Sequence, residues 1–156
     1  MHTKYFFESP ERIAQLQFHA GLWIGTPFMP HGSTRGGGVC CQRLVGSLYK
    51  ELGFLPEAFE IPTGPMDWSH AQTKSLIAEF MAGCAHFAEI ASAGSNGARP
   101  GDMVGFTLGG CLHHCGIVIA ADGQFIHCLR GPGVLFSSLR DASYMSRLEK
   151  IWRPLA

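Results

Sequence analysis

The stretch beyond Arg99 limits what this chain can fold into more than any other. Short apolar runs of strand length follow one another there, each closed by a turn signal. Met103-Val104-Gly105-Phe106-Thr107-Leu108 ends at Gly109-Gly110, and the run from His113 to Ala120 ends at Ala121-Asp122-Gly123. Gln124-Phe125-Ile126-His127-Cys128-Leu129 then ends at Gly131-Pro132-Gly133, with Val134-Leu135-Phe136 beyond it. Runs of this kind predict antiparallel strands, and Asp-Gly favours a tight hairpin. A short helix and a last strand at Lys150-Ile151-Trp152-Arg153 complete the meander.

Helices precede it. Ser9-Pro10-Glu11-Arg12 predicts a helix start, with Ser9 as the cap and Pro10 in the first turn. Ile13, Leu16, Gln17 and Ala20 carry that helix to a stop at Gly21, near Trp23. A second helix runs from Cys41, where Leu44, Val45, Leu48 and Leu52 form one apolar stripe before Gly53. A third covers about 72–82 with Leu76, Ile77, Phe80 and Met81 inward, and Ala88-Glu89-Ile90 predicts a short strand. The segments 25–32, 55–65 and 92–98 are rich in Gly, Pro or Ser and predict loops. Helices first and antiparallel strands after is the α+β pattern, here over one domain of 1–156 with a real core.

Composition excludes several functions. Twelve basic residues balance twelve acidic ones, which leaves no electrostatic footprint for nucleic acid or an anionic membrane. A hydrophobic fraction of 46% against 15% charged residues describes a globular chain. Six cysteines, with no C-x-x-C pair and no even spacing, predict reduced thiols rather than a disulfide framework. The N-terminus has no apolar run of signal-peptide length, so synthesis is expected in the cytoplasm. Action outside the cell then needs another route out.

The chemistry centres on Cys41. It follows the Gly36-Gly37-Gly38 loop and heads the second helix, where free N–H groups and the helix dipole favour a thiolate. Those N–H groups also suit an oxyanion. The competing reading is a small buried hydrophobe. A nucleophile needs a base, and two histidines on neighbouring strands qualify. A hairpin turning on Asp122-Gly123 pairs residues whose numbers sum to about 245, whereas His114 and His127 sum to 241. A bulge or a longer turn brings them side by side. His113 competes with His114, and alternation along the strand does not decide between them. A zinc reading draws on Cys111, His113, His114 and Cys115, with His127 and Cys128 nearby, but only Cys111 to Cys115 loosely fits ligand spacing. The reading therefore carries no metal and no cofactor.

These residues resemble the NlpC/P60 cysteine peptidase family, specifically its phage-tail and gene-transfer-agent branch. Cys40-Cys41-Gln42-Arg43-Leu44-Val45 resembles the family's Asp-Cys-(Ser/Leu)-Gly-Leu-Val, and Trp23-Ile24-Gly25-Thr26-Pro27-Phe28 resembles Trp-x-Gly-Thr-Pro-Tyr. His31 lies close to where the phage branch has Arg-His-Gln. Arg99-Pro100-Gly101-Asp102 resembles the Pro-Gly-Asp segment, His114-Cys115-Gly116-Ile117 the His-x-Gly-Ile segment, and Phe125-Ile126-His127-Cys128 the Ile-His-Ala segment. The resemblance implies a papain-like fold, its N-terminal helices, including the nucleophile helix, packed on a small antiparallel sheet. It carries nucleophile, base and orienting residue onto Cys41, His114 and His127. It also implies a peptidase acting on bacterial cell-wall stem peptides, typically between a D-γ-glutamyl residue and a diamino acid. Phage-tail or particle proteins are the implied partners. Cys40, Gln42, Arg43 and Phe28 depart from the motifs, so a non-catalytic tail-assembly protein that keeps the fold is the alternative. His31, Phe28 and Trp68 are the expected substrate contacts, with Trp68, Phe59 and Ile61 lining a cleft or docking face beside Cys41. Trp23 and Trp152 are expected in the core.

Overall fold

The computed structural model describes residues 2–62, 75–91 and 97–156. The first helix, α1 (Pro10–Trp23), starts as its sequence predicts: Ser9 Oγ accepts from the Arg12 N–H, and Pro10 occupies the first turn. Leu16, Ala20 and Trp23 form its buried side. A two-stranded ladder, β1 (Ser33–Thr34) with β2 (Gly38–Val39), forms where loop alone is expected, and it delivers the chain to α2 (Cys41–Glu51). The third helix, α3 (Leu76–Ala82), is capped by Ser75, whose Oγ accepts from the Ala78 N–H. Its expected first residues, 72–74, lie outside the described residues.

Six strands build the main sheet: β3 (Phe87–Ile90), β4 (Met103–Leu108), β5 (Cys111–Val118), β6 (Gln124–Leu129), β7 (Gly133–Ser138) and β8 (Leu148–Pro154). Their order is β3-β8-β4-β5-β6-β7, and every neighbouring pair is antiparallel. The short helix α4 (Ala142–Met145) falls between β7 and β8. Both faces of the sheet are buried, which explains why the strands read as nearly continuous apolar runs. One face presents Met103, Cys115, Ile117, Ile126 and Trp152 to the α2 stripe of Leu44, Val45 and Leu48. The other packs Val104, Phe106, Val118, Phe125, Leu139 and Ile151 together, with Tyr144 of α4 against them. Trp23 and Trp152 are 2% and 3% exposed, as expected of core residues.

Two departures from the sequence reading position the site. The turn between β5 and β6 holds residues 120–123 rather than two residues, with the Gly123 N–H bonded to the Ala120 carbonyl. Ile117 therefore pairs with Ile126 and Val118 with Phe125, so partner numbers sum to 243 rather than about 245. His114 and His127 become same-face diagonal neighbours. The second departure is a bulge between β4 and β5: Phe106 pairs with His114 but Thr107 with Leu112, leaving His113 as the extra residue. The bulge settles which histidine shares the face of Phe106.

One ion pair ties the start of β4 to the end of β8. Arg153 donates from Nε to Asp102 Oδ1 at 2.9 Å and from Nη2 to Oδ2 at 2.8 Å, both groups nearly inaccessible. The Asp102 carboxyl, in the Pro-Gly-Asp turn, is pushed up by burial and held back by this guanidinium. No helix among the described residues is long and apolar enough to cross a membrane.

Candidate active site

The loop before α2 is fastened to the end of the sheet. The Gly25 N–H bonds the Val134 carbonyl at 3.1 Å, and the Val134 N–H returns to the Thr26 carbonyl at 2.9 Å. Gly133 permits this approach, since its φ is 76° and a Cβ there would stand 2.4 Å from the Thr26 carbonyl. Thr26 Oγ1 accepts from the Gly36 N–H at 3.0 Å, and Val39 exchanges hydrogen bonds with Pro27 and Met29. Cys128 donates its thiol to the Val39 carbonyl at 3.3 Å. The Gly-Thr-Pro segment thus sets where α2 begins.

Cys40 is the N-cap of α2, with extended backbone at φ −106° and ψ 170° and no side-chain capping bond. Its carbonyl accepts the Leu44 N–H at 2.9 Å, so the first-turn N–H groups of Cys41 and Gln42 precede any intrahelical acceptor. Cys41 is partly exposed at that terminus, and its sulfur lies 3.9 Å from the His113 carbonyl. Here β5 has parted from β6, whose pairing ends at Ile117.

Cys41 is held well below the usual thiol range. A hydrogen bond from the Cys115 thiol lowers it most, and a hydrogen bond to His114 and the charge of that ring add to this against burial. Cys115 moves well above the usual range because it shares its proton with Cys41 and is fully buried. Burial pushes Cys40 and Cys111 up, and Cys128 up to about 12. The thiol at the helix terminus is set apart from these four by its partners.

His114 bridges Cys41 to a second ring. Its Nε2 lies 2.8 Å from Nδ1 of His127, and Nε2 of His127 lies 2.7 Å from Ser137 Oγ. With Nε2 occupied by His127, Nδ1 is the nitrogen that His114 has left for Cys41. His127 is fully buried, with Phe125 4.5 Å and Tyr144 5.3 Å from its ring centroid. Burial, and then the neighbouring His114 charge, lower His127 to about 3. It stays neutral at ordinary pH and can act as an acceptor toward His114. The alignment can support proton transfer from a thiol to His114 while His127 fixes that ring.

Cys41, His114 and His127 are therefore brought together. His113 projects from the bulge, with Nδ1 3.4 Å from the Cys111 carbonyl, and burial lowers it. Phe28 is half-buried, bridged to Val39 and covered by the Arg130 guanidinium at 5.2 Å. His31 is exposed with φ 58°, on the turn whose Gly32 carbonyl receives the Cys40 N–H. Trp68 lies outside the described residues. Phe59 and Ile61 line an apolar cavity of about 40 Å³ with Gln42, Gly46, Ile77 and Phe80; Cys41 is not in its wall. Arg43, where the motif has glycine, leaves a buried Nε with no hydrogen-bond partner among the described residues. No group of three or more His, Cys, Asp or Glu side chains among the described residues is arranged to hold a metal ion.

Sequence reasoning missed two contributors. Cys115 reads as a core residue, and only the docking of α2 reveals that it meets Cys41. Ser137 gives no motif signal; its place follows from β6–β7 register, in which it faces Phe125.

This is the papain-like α+β fold of NlpC/P60 domains. An NLP/P60 family protein similar to lipoprotein, from Staphylococcus aureus subsp. aureus Mu50, superposes with a TM-score of 0.66 at 16% identity, covering 100% of this chain and 45% of that one. The NlpC/p60 domain of the peptidoglycan hydrolase SagA gives 0.58 at 18% identity, over 89% of this chain and 96% of that domain. An NlpC/P60 family protein from Bacillus cereus ATCC 10987 gives 0.62 at 21% identity, over 92% of this chain and 40% of its own length. The chain thus spans less than half of the Staphylococcus aureus and Bacillus cereus proteins and nearly all of the SagA domain. No family model and no curated protein matches the sequence.

Proposed function

We propose that the protein is a cysteine hydrolase that cleaves an amide bond through a thioester on Cys41. The observation that carries this reading is the continuous line from Cys41 through His114 to His127, starting at a helix N-terminus. The Cys41 sulfur attacks the carbonyl carbon as a thiolate, its proton residing on His114 Nδ1. The tetrahedral oxyanion forms beside the free first-turn N–H groups of α2. Collapse breaks the C–N bond, and His114 gives its proton to the departing amine. Water, deprotonated by the same ring, then releases the acid and restores the thiol.

The substrate class is bacterial cell-wall stem peptide, with the bond between a D-γ-glutamyl residue and a diamino acid first in line. The sequence resemblance supports it, as does the shared fold with the NlpC/p60 domain of SagA, a peptidoglycan hydrolase. Delivery inside a phage-tail-like particle is part of the proposal and rests on the resemblance alone. The test incubates the chain with synthetic stem peptides and reads new amine and acid ends by mass spectrometry. Native chain and Cys40→Ala cleave, whereas Cys41→Ala does not. A folded native chain that cleaves nothing across the set overturns the reading in favour of an interaction module, and loss only in Cys40→Ala overturns the nucleophile.

A further inference from the structure

A fourth residue extends the line beyond His127, and no motif assigns it. Ser137 of β7 sits two residues from the cross-strand partner of His127, which is Leu135, and so occupies the same face of the sheet. Its Oγ is 2.7 Å from His127 Nε2, while His127 Nδ1 is 2.8 Å from His114 Nε2. Both ring nitrogens of His127 are therefore committed. We propose that Ser137 is a positioning residue of this site, accepting the Nε2–H of His127 and so holding that ring in the tautomer whose Nδ1 accepts from His114. The proposal rests on the cysteine-hydrolase reading above.

Two proton orders fit these contacts. In the first, His114 donates from Nε2 to His127, and His127 donates from Nε2 to Ser137; His114 Nδ1 is then free to hold the Cys41 proton. In the second, Ser137 donates to His127, His127 donates to His114, and His114 has no lone pair left for a proton. Only the first is compatible with a protonated His114, because an imidazolium presents N–H at both nitrogens. The thiolate state thus needs an acceptor at position 137. Without one, His127 either leaves a buried N–H unpaired or turns its N–H toward His114, and both disfavour the thiolate. The surrounding aromatic rings offer no alternative acceptor of comparable strength: Phe125 has none, and Tyr144 meets the ring edge to face at 5.3 Å.

The isosteric pair Ser137→Thr and Ser137→Val separates acceptor from shape, and both residues suit a strand. The readouts are the pH profile of Cys41 alkylation by iodoacetamide, followed by peptide mapping, and the ¹⁵N shifts of His127, with melting curves to register folding. Cys40, Cys115, Cys128, His113 and His114 also act on or near Cys41, and Tyr144 on His127, but all are common to the two variants. Ser137→Val is expected to raise the Cys41 midpoint by about 0.5–1 pH unit and slow alkylation below it about three- to tenfold. Its His127 should gain the Nδ1–H tautomer, while Ser137→Thr retains the native profile and shifts. Equal profiles in the two variants, with His127→Ala still displaced, overturn the role of Ser137 and leave the hydrolase reading intact. Profiles that also fail to move in His114→Ala and His127→Ala overturn that reading as well.

Discussion

Gly116→Ala tests how closely the two histidine-bearing strands approach. A Cβ at Gly116 would stand 2.5 Å from the Ile126 carbonyl oxygen, 3.1 Å from Phe125 Cδ2 and 3.2 Å from His127 Cβ. Real Cβ atoms do not approach closer than 3.0 Å and ordinary contact begins at 3.4 Å, so β6 must retreat by about 0.5–0.9 Å. The obstacle is backbone, which gives far less readily than a side-chain tip. Carried into the site, that retreat stretches the 2.8 Å bond between His114 and His127 beyond about 3.3 Å, the edge of useful hydrogen bonding. Overpacking costs ~1–3 kcal/mol of stability, and a displacement of this size at a reacting constellation costs up to about 10²-fold in rate. Gly46→Ala is the control: its Cβ meets the far end of Ile61 in the wall of the apolar cavity, a flexible tip that can move. Thermal melts should show both variants destabilised, while kcat/KM on a stem peptide and the Cys41 alkylation profile change only in Gly116→Ala. A Gly116→Ala variant with native rate and native alkylation profile refutes the close-approach argument.

His114→Ala should lower the rate by about 10²–10⁴-fold and His127→Ala by less, because in the proposed mechanism one ring moves the proton and the other holds it; His113→Ala should have a small effect, and the reverse ranking in steady-state kinetics contradicts the proposed roles. Because His127 is held near 3 in the fold against about 6.5 unfolded, the unfolded chain binds the extra proton between those values. Stability should therefore fall by up to ~1.4 kcal/mol per pH unit on acidification from about 6.5 toward about 3 and level off below. Urea unfolding of His127→Asn should show a shallower slope across that window, and an unchanged slope contradicts the buried neutral ring. Arg153→Met strips the partner from buried Asp102 and should cost ~3–5 kcal/mol in chemical denaturation while leaving Cys41 alkylation unchanged in the folded protein.

Much of the scaffold was legible because its periods are strong. The Leu44, Val45, Leu48 stripe marked α2, the Ser9-Pro10 pair marked the start of α1, and short apolar runs between turns marked β4 to β8. Those signals are local. What escaped is set by pairing between elements: a four-residue turn moved the β5–β6 register by two, and one extra residue at His113 decided which histidine faces Phe106. Residue spacing carries no record of a bulge. Ser137 and Cys115 were hidden for the same reason, since one depends on β6–β7 register and the other on where α2 docks. Gly116 explains its own place in the His-x-Gly-Ile segment only once the Ile126 carbonyl is seen against it.

The proposed mechanism requires that Cys41 alone among the six thiols be activated, and competitive alkylation measures this directly. Folded protein is exposed briefly to limiting iodoacetamide at neutral pH, quenched, unfolded and labelled again with an isotopic form, so that each cysteine reports its native rate. Cys41 should react far faster than Cys40, Cys84, Cys111, Cys115 and Cys128, with a midpoint below the ordinary thiol value of about 8.5. Uniform slow labelling of all six, or Cys40 reacting ahead of Cys41, contradicts the account.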